Sequence, residues 1–551
     1  MRRNSRRQRK PEAPDRKQAV PWQPSLRLCA ALLLAVVAIF ASIRIRLRDV
    51  PLERDQGEYA YAGQLILQGI PPYQLAYNMK LPGTYAAYAL IMAVLGQTAA
   101  GIHLGVLLIN ASTIVLMFFM ANRLFGRIAG LVAAASYGLL STSFSVNGLE
   151  GHATHFVVLP AVAGLLAMLT AIEHKKAWLF FLSGILLGMA FLMKQPGIFF
   201  AIFAGLYLLR SEWTRPIRPK NLLTRFGLFA LGVVIPYGLT CLILWRAGVF
   251  SRFWFWTFSY ARHYGFTVGR GLQELSQVFP LVAGPSALVW LMAAVGLTAF
   301  LSNAEARRHS GFCMGFLFFS FLAVCLGFRF TPHYFIMLLP AVSLLVAVAV
   351  SAATSALTEH NKSAFLRIVP ITAFLIAFAI SIFGQRELLF EIDPVDVPRA
   401  IYGMQPFPEA LQVGEYLRSH SAPNARIAVL GSEPEIYFYA HRQSATGYIY
   451  TYALMEEQPY ARTMQQEMIS EIEAARPQFV VLVNVAPSWL DSPKSNRNIF
   501  TWMQRYLPDH YEPVGVADIQ NIDHTEYRWA EEASHYRTRS PCVVWVLQRK
   551  A

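Results

Sequence analysis

Residues 53–85, ERDQGEYAYAGQLILQGIPPYQLAYNMKLPGTY, are polar and aromatic, punctuated by Gly and Pro, and lie between long apolar runs. The stretch places two carboxylates, Asp55 and Glu58, and one lysine, Lys80, between hydrophobic spans. Such a segment reads as a structured loop just outside a membrane, and the rest of the chain is organised around it. Asp55 and Glu58 stand three residues apart, so on a helix beginning here they share a face. Asp55-Gln56-Gly57-Glu58 also reads as a capping box that opens a helix running through Leu67. Pro82 and Gly83 fix a non-helical backbone beside Lys80, holding its ammonium at the membrane surface.

Working outward, the chain has 551 residues, of which 55% are hydrophobic and 15% charged, with a formal net charge of +15. Apolar runs recur from Leu28 to Phe383, a balance that excludes an ordinary soluble domain. The basic excess would suggest nucleic acid in a soluble chain. Here it gathers in residues 1–27 and in short loops, where topology explains it better and nucleic acid is not a partner. The five cysteines form no CxxC, and four fall within or at the edge of apolar runs, so no disulfide framework is expected.

Residues 1–27 read as a disordered basic arm on the cytoplasmic side, and Leu28–Ile43 as an uncleaved signal anchor closed by Arg44, Arg46 and Arg48. About eleven helices follow from the requirement of roughly 20 apolar residues per crossing. Their approximate cores are 28–47, 101–122, 128–146, 154–171, 177–193, 197–210, 225–245, 278–300, 312–328, 333–353 and 367–384. Segment 83–97, within a first outer loop at 48–100, is shorter. It is read as lying on the outer surface, because a further crossing would invert everything after it. With that choice, Lys and Arg on the inner side outnumber those outside about two to one. Residues 28–384 thus form a polytopic transmembrane helix bundle.

The basic residues outside the membrane sit among aromatics and prolines, in MKQPG (193–197), FSRFWFWTFSYARHYG (250–265) and FRFTPHYF (328–335). Interfacial snorkelling accounts for any single one. Several converging on one face, Lys194, Arg262 and Arg329 among them, form an anion site for a lipid head group. Glu150, His152 and His155 in GLEGHATHF invite a metal reading, but their spacing matches no strong metal motif. No cofactor is therefore expected, with a divalent metal left open, and Glu150 and His155 are read as contacts to polar substrate. Residues 385–551 are largely soluble, with strand-like runs at 426–431, 478–485 and 542–548. Helical stretches around 408–420, 456–475 and 497–507 separate them, giving a C-terminal α/β domain on the outer side.

With these residues in place, the chain resembles the type C glycosyltransferases. The branch is the protein O-mannosyltransferase-like one, which includes the aminoarabinose transferase of lipid A and the galacturonosyltransferases of lipopolysaccharide core. The resemblance rests on the acidic first outer loop, Lys80-Leu81-Pro82, the second outer loop with Glu150, and the late Arg329 and Pro332-His333-Tyr334 segment. It covers about residues 28–384, and the C-terminal α/β domain in a general way.

The resemblance implies that Asp55 is the catalytic base. Relatives often carry adjacent Asp-Glu where this chain has Asp55-Gln56, so a second carboxylate must come from Glu58 or Glu150. It further implies Lys80, Lys194, Arg329 and His333 as contacts to lipid phosphate, with Arg262, Tyr334 and His155 as further walls. The implied donor is a polyprenyl-phosphate sugar. The implied acceptor is a periplasmic glycan, lipid or protein, and the implied setting is the bacterial inner membrane among its lipids. A transporter or flippase of lipid-linked saccharide would also need basic groups near phosphate, but internal repeats are not evident and the polar residues collect on one side. A non-catalytic assembly subunit would share the fold without the transfer.

Overall fold

A computed structural model describes residues 23–213, 219–359 and 364–550. Most of the basic arm expected at 1–27 lies outside the described residues. The eleven segments expected to cross are all helical: α1 (Leu26–Arg46), followed after α2 (Arg54–Leu67) and α3 (Gly83–Leu95) by α4 (Ala99–Phe125), α5 (Arg127–Thr142), α6 (Ala153–His174), α7 (Ala177–Met193), α8 (Ile198–Trp213) and α9 (Pro219–Arg246). A short α10 (Phe250–Trp254) continues into a π-helical turn, Phe255–Tyr260. The remainder are α11 (Val268–Ala283) running into α12 (Ala287–Ser302), then α13 (Ala304–Cys325), α14 (Leu339–Glu359) and α15 (Ala364–Gly384). Eight of these spans are long and apolar enough to cross a membrane by themselves.

The shares of apolar helix buried sort the bundle. α6 and α14 are 67% buried within their apolar windows and form its centre, while α9 at 17% and α1 and α15 at 22% turn leucines, isoleucines and valines outward. In a membrane that face meets acyl chains, so close packing rests on small residues rather than on apolar exclusion. At the α7–α9 contact, a Cβ on Gly184 would stand 2.2 Å from the Phe229 carbonyl oxygen.

α3 has 13 residues, spanning about 20 Å at 1.5 Å per residue, short of a 30 Å hydrocarbon layer. Its two ends lie on one side of the bundle. Its start carries the Lys80 loop, and α4 begins beside the end of α1, where His103 Nδ1 meets the Arg48 carbonyl at 2.7 Å. The far end of α4 meets the start of α1 through Gln23, which accepts from the Arg127 N–H at 2.8 Å. Segment 83–97 therefore returns to the face it left.

α2 corrects one expectation. Its N-cap is Glu53, whose carboxylate accepts from the N–H groups of Asp55 and Gln56, so the helix opens two residues before the box read at Asp55–Glu58. With the cap supplied by Glu53, Asp55 and Glu58 have no capping role and both point towards Lys80.

After α15 come α16 (Val397–Tyr402), α17 (Phe407–His420), β1 (Arg426–Leu430), α18 (Glu435–Ala440), β2 (Gln443–Ser444), β3 (Phe479–Asn484), β4 (Tyr511–Asn521), β5 (His524–Trp529) and β6 (Val543–Arg549). The sheet order is β2-β1-β3-β6-β4-β5, parallel through β3 and antiparallel beyond it. β1, β3 and β6 answer the three apolar runs read as strands; the β4–β5 hairpin was not among them. This sheet region packs on α2. Arg54 Nη2 pairs with Glu433 at 2.8 Å, the Arg54 Nε–H donates to the Ser432 carbonyl at 2.6 Å, and the Ser444 N–H donates to the Tyr61 hydroxyl at 2.7 Å.

Candidate active site

A cavity of about 550 Å³ opens between the start of α2, the Lys80 and Lys194 loops, the π-helical turn, the 326–334 segment and the C-terminal region. Asp55 and Lys80 lie on its wall. Lys80 Nζ stands 2.7 Å from Asp55 Oδ1 and 2.7 Å from Glu58 Oε2. The Lys80 backbone is held by the Tyr73 hydroxyl, which donates to its carbonyl at 2.7 Å, and its ammonium lies over the Tyr59 ring. Glu58 is fully buried beneath the cavity, where it also accepts from the Tyr85 hydroxyl at 2.5 Å and the Asn78 amide at 2.8 Å. It secures Lys80 and is not among the side chains that line the cavity.

Burial alone would raise Asp55, but Lys80 above all, with His333 and His152, holds its carboxyl well below the usual carboxylate range. Burial acts on Lys80 in the opposite sense and is outweighed by Asp55 and Glu58, which keep it charged. Lys194 is different. Its ammonium lies 3.9 Å from the centre of the Tyr334 ring on the cavity wall, with no carboxylate paired to it among the described residues, and burial pushes its pKa down.

Arg329 also lines the cavity, but its guanidinium pairs with Glu456 at 2.6 Å and stacks over Tyr264. Its charge is thus already balanced by the C-terminal region, and a phosphate would have to compete with Glu456. His333 and Tyr334 line the cavity as expected. Arg262 and His155 do not. Arg262 is exposed in a tight turn that sends Ala261 and Tyr264 inward instead. His155 is buried one turn into α6, with Nε2 2.9 Å from the Gly148 carbonyl oxygen, and serves the loop backbone.

Glu150 stands behind the cavity. One oxygen accepts from His152 Nε2 at 2.7 Å, and the Tyr402 hydroxyl lies 2.8 and 2.6 Å from its two oxygens. His152 stacks on His333, ring centres 3.9 Å apart and planes 12° from parallel. Imidazole lone pairs lie in the ring plane, so two parallel stacked rings cannot direct both lone pairs at one ion. The carboxylates beside them are engaged as well: Glu53 caps α2 and Glu150 is held by Tyr402 and His152. Of the residues read for a metal, His155 turns Nε2 to the Gly148 carbonyl oxygen and does not join Glu150 and His152; the side chains that converge are instead Asp55, His152 and His333, and Glu53, Glu150 and His152.

Several cavity residues are not singled out by the sequence. Trp256, Tyr260, Tyr402, Tyr450 and Tyr452 line the wall from two distant regions, and Glu456 meets Arg329 from 127 residues away. Only their aromatic enrichment beside basic residues, visible at 250–265, pointed towards them.

Fold and cavity together define a multi-pass membrane protein of the type C glycosyltransferase fold, as the sequence resemblance implied. Residues 80–239 match the dolichyl-phosphate-mannose-protein mannosyltransferase family. The structure of ArnT from Cupriavidus metallidurans bound to undecaprenyl phosphate is similar at a TM-score of 0.58 and 15% identity, covering 95% of this chain and 98% of that one. Its apo state matches at 0.57 and 16% identity, over 94% and 97%. The oligosaccharyltransferase AglB from Archaeoglobus fulgidus, in complex with an inhibitory peptide and a dolichol-phosphate, is similar at a TM-score of 0.50 and 13% identity, over 91% of this chain and 74% of that one. No curated protein matches the sequence.

Proposed function

We propose that this chain transfers a sugar from a polyprenyl-phosphate donor to an acceptor on the outer face of the bacterial inner membrane. The acceptor is a glycan, lipid or protein presented to the side where the C-terminal domain, residues 385–551, stands. The observation that carries the reading is the presence, in one cavity, of an ammonium with no carboxylate partner among the described residues, Lys194, and a carboxylate, Asp55. Cleaving a glycosyl phosphate develops negative charge on the leaving phosphate and positive charge at the anomeric carbon, and these two groups answer the two charges. The match in fold to a protein whose structure holds undecaprenyl phosphate supports the donor class. Lys194 takes the phosphate first; Arg329 adds to it when the phosphate competes with Glu456. Lys80 fixes Asp55 rather than binding phosphate itself, and Asp55 receives the acceptor's hydrogen bond.

The test supplies membranes with radiolabelled polyprenyl-phosphate sugars. Lys194→Ala should weaken donor use by about ten- to a hundredfold, as loss of a charge-assisted bond worth about 1.5–3 kcal/mol implies. Asp55→Asn should abolish transfer while donor binding persists. Full transfer by a folded Asp55→Asn protein refutes the role of Asp55. Translocation of lipid-linked sugar without transfer refutes the enzyme.

A further inference from the structure

Asp55 poses a difficulty that its neighbours resolve. A general base works best when its proton affinity lies near the working pH. Lys80 lies 2.7 Å from Asp55 Oδ1, and the Tyr450 hydroxyl donates to the same oxygen at 3.3 Å, so this carboxylate can receive a proton but cannot keep it. A buried proton acceptor without a partner stands beside it, His152 Nδ1. It is buried, has no hydrogen bond among the described residues, and stands 3.9 Å from Asp55 Oδ2.

The rest of that ring is fixed. Nε2 donates to Glu150 at 2.7 Å, which leaves the lone pair on Nδ1. Tyr402 holds Glu150 and is itself held by the Asn147 amide at 2.8 Å, while His333 covers one face of the imidazole. We propose that His152 is a positioning residue that takes the acceptor's proton from Asp55, with Glu150 and Tyr402 orienting it. The inference rests on the transfer reading above.

In the step, the acceptor oxygen bonds the anomeric carbon as the bond from that carbon to phosphate oxygen breaks, its electron pair leaving on the phosphate. The proton of the acceptor hydroxyl or amine moves to Asp55 Oδ2 and on to His152 Nδ1, leaving an imidazolium between Asp55 and Glu150. Closing 3.9 Å to a hydrogen bond requires a shift of about 1 Å. Water takes the proton when the cavity empties.

The surrounding charges favour this resting place. Around His152 stand Glu53 and Asp55 at the start of α2, Glu150 in its own loop, and His333 with Lys194 and Lys80 behind it. His155 lies one turn along α6, with Arg44 of α1 beyond. Burial lowers His152, but Glu150, Glu53 and Asp55 together raise it above the ordinary histidine range. Burial, His152 and Lys194 hold His333 well below it, so of the two stacked rings His152 is the better proton acceptor.

Two measurements on the full chain in nanodiscs test this. In ¹⁵N-histidine spectra without substrate, His152 should titrate above a free histidine and fall in both Asp55→Asn and Glu150→Gln. A His152 signal that Asp55→Asn leaves unmoved overturns the coupling. In single-turnover transfer, the wild-type rate should rise about tenfold per pH unit to a plateau above the His152 pKa, because only neutral His152 accepts a proton. His152→Gln should lose that inflection and fall by about 10²–10⁴ at the plateau. A His152→Gln protein with the wild-type profile overturns the relay. A wild-type protein inert towards every polyprenyl-phosphate sugar overturns the transfer reading instead, and the substrate-free titration distinguishes the two failures.

Discussion

Lys80 is the residue on which the local electrostatics turn. It neutralises two carboxylates of unequal standing: Asp55 reaches the cavity, whereas Glu58 has a side chain 1% exposed and no access to water. Removing one partner of a buried pair leaves a charge stranded, at a cost of about 3–5 kcal/mol. Lys80→Met should therefore lower thermal stability markedly and abolish transfer. Adding Glu58→Gln should restore most of the stability but no transfer, since Asp55 stays unanchored; a double variant as unstable as the single would show that Glu58 is not the stranded charge. At this scale Asp55, Lys80 and Lys194 were legible because charge is conspicuous between apolar spans. The helix cap was not, since Glu is an uncommon N-cap and Asp55 matches the usual preference better. Nor could spacing decide which histidine of GLEGHATHF faces the site. The turn into α6 sends His152 towards Asp55 and His155 towards the Gly148 carbonyl.

Between elements, α2 and α18 approach each other closely. A Cβ on Gly57 would stand 2.6 Å from Glu435 Cβ, so only glycine admits this contact. The Glu435 carboxyl is buried there with neither oxygen hydrogen-bonded among the described residues. Burial first, and then Glu433, raises its pKa well above the ordinary glutamate value. The folded state then binds a proton that the unfolded chain releases near pH 4.5, so this group's contribution to stability is full below that pH and is lost as pH rises through the folded pKa. Glu435→Gln should remove that part of the decline, giving a melting temperature that falls less with pH than the wild type's; an unchanged slope would show Glu435 ionised in the fold. The sequence offers no trace of such a contact, which depends on two elements 378 positions apart in the same way as the Arg54 tether to Ser432. The β4–β5 hairpin was hidden for a different reason. Its strands carry Asp518, Glu526 and Arg528, and Asp518 is buried because it accepts from the Tyr536 hydroxyl and the N–H groups of Arg539 and Ser540. β5 is an edge strand, where charge is ordinary.

For the molecule as a whole, the number of crossings decides which compartment the cavity serves. Long apolar runs made the bundle readable, but hydropathy alone left 83–97 ambiguous, because a mostly apolar 13-residue helix suits an interfacial segment as well as a short span that thins the bilayer. Contacts resolve it: α2, α3 and the start of α4 share one end of the bundle with the sheet, and the cavity lies at that end. The eleven crossings expected from the sequence would set the connection between α12 and α13 on the opposite face, where Gly311 packs near the Arg210 side chain at the end of α8. Lys494 in the sheet region and Arg308 beyond α12 are both exposed and suit a labelling test. In the inner-membrane setting proposed above and a cysteine-free background, Lys494→Cys should react with a membrane-impermeant maleimide once the outer membrane is opened, and Arg308→Cys only after the inner membrane is lysed. The reverse order, with Arg308→Cys reacting first, would refute the odd total, and equal reactivity of the two from one side would refute the three crossings between them, α13, α14 and α15. Were both labelled only after lysis, the cavity would face the cytoplasm and the acceptor would have to be sought there.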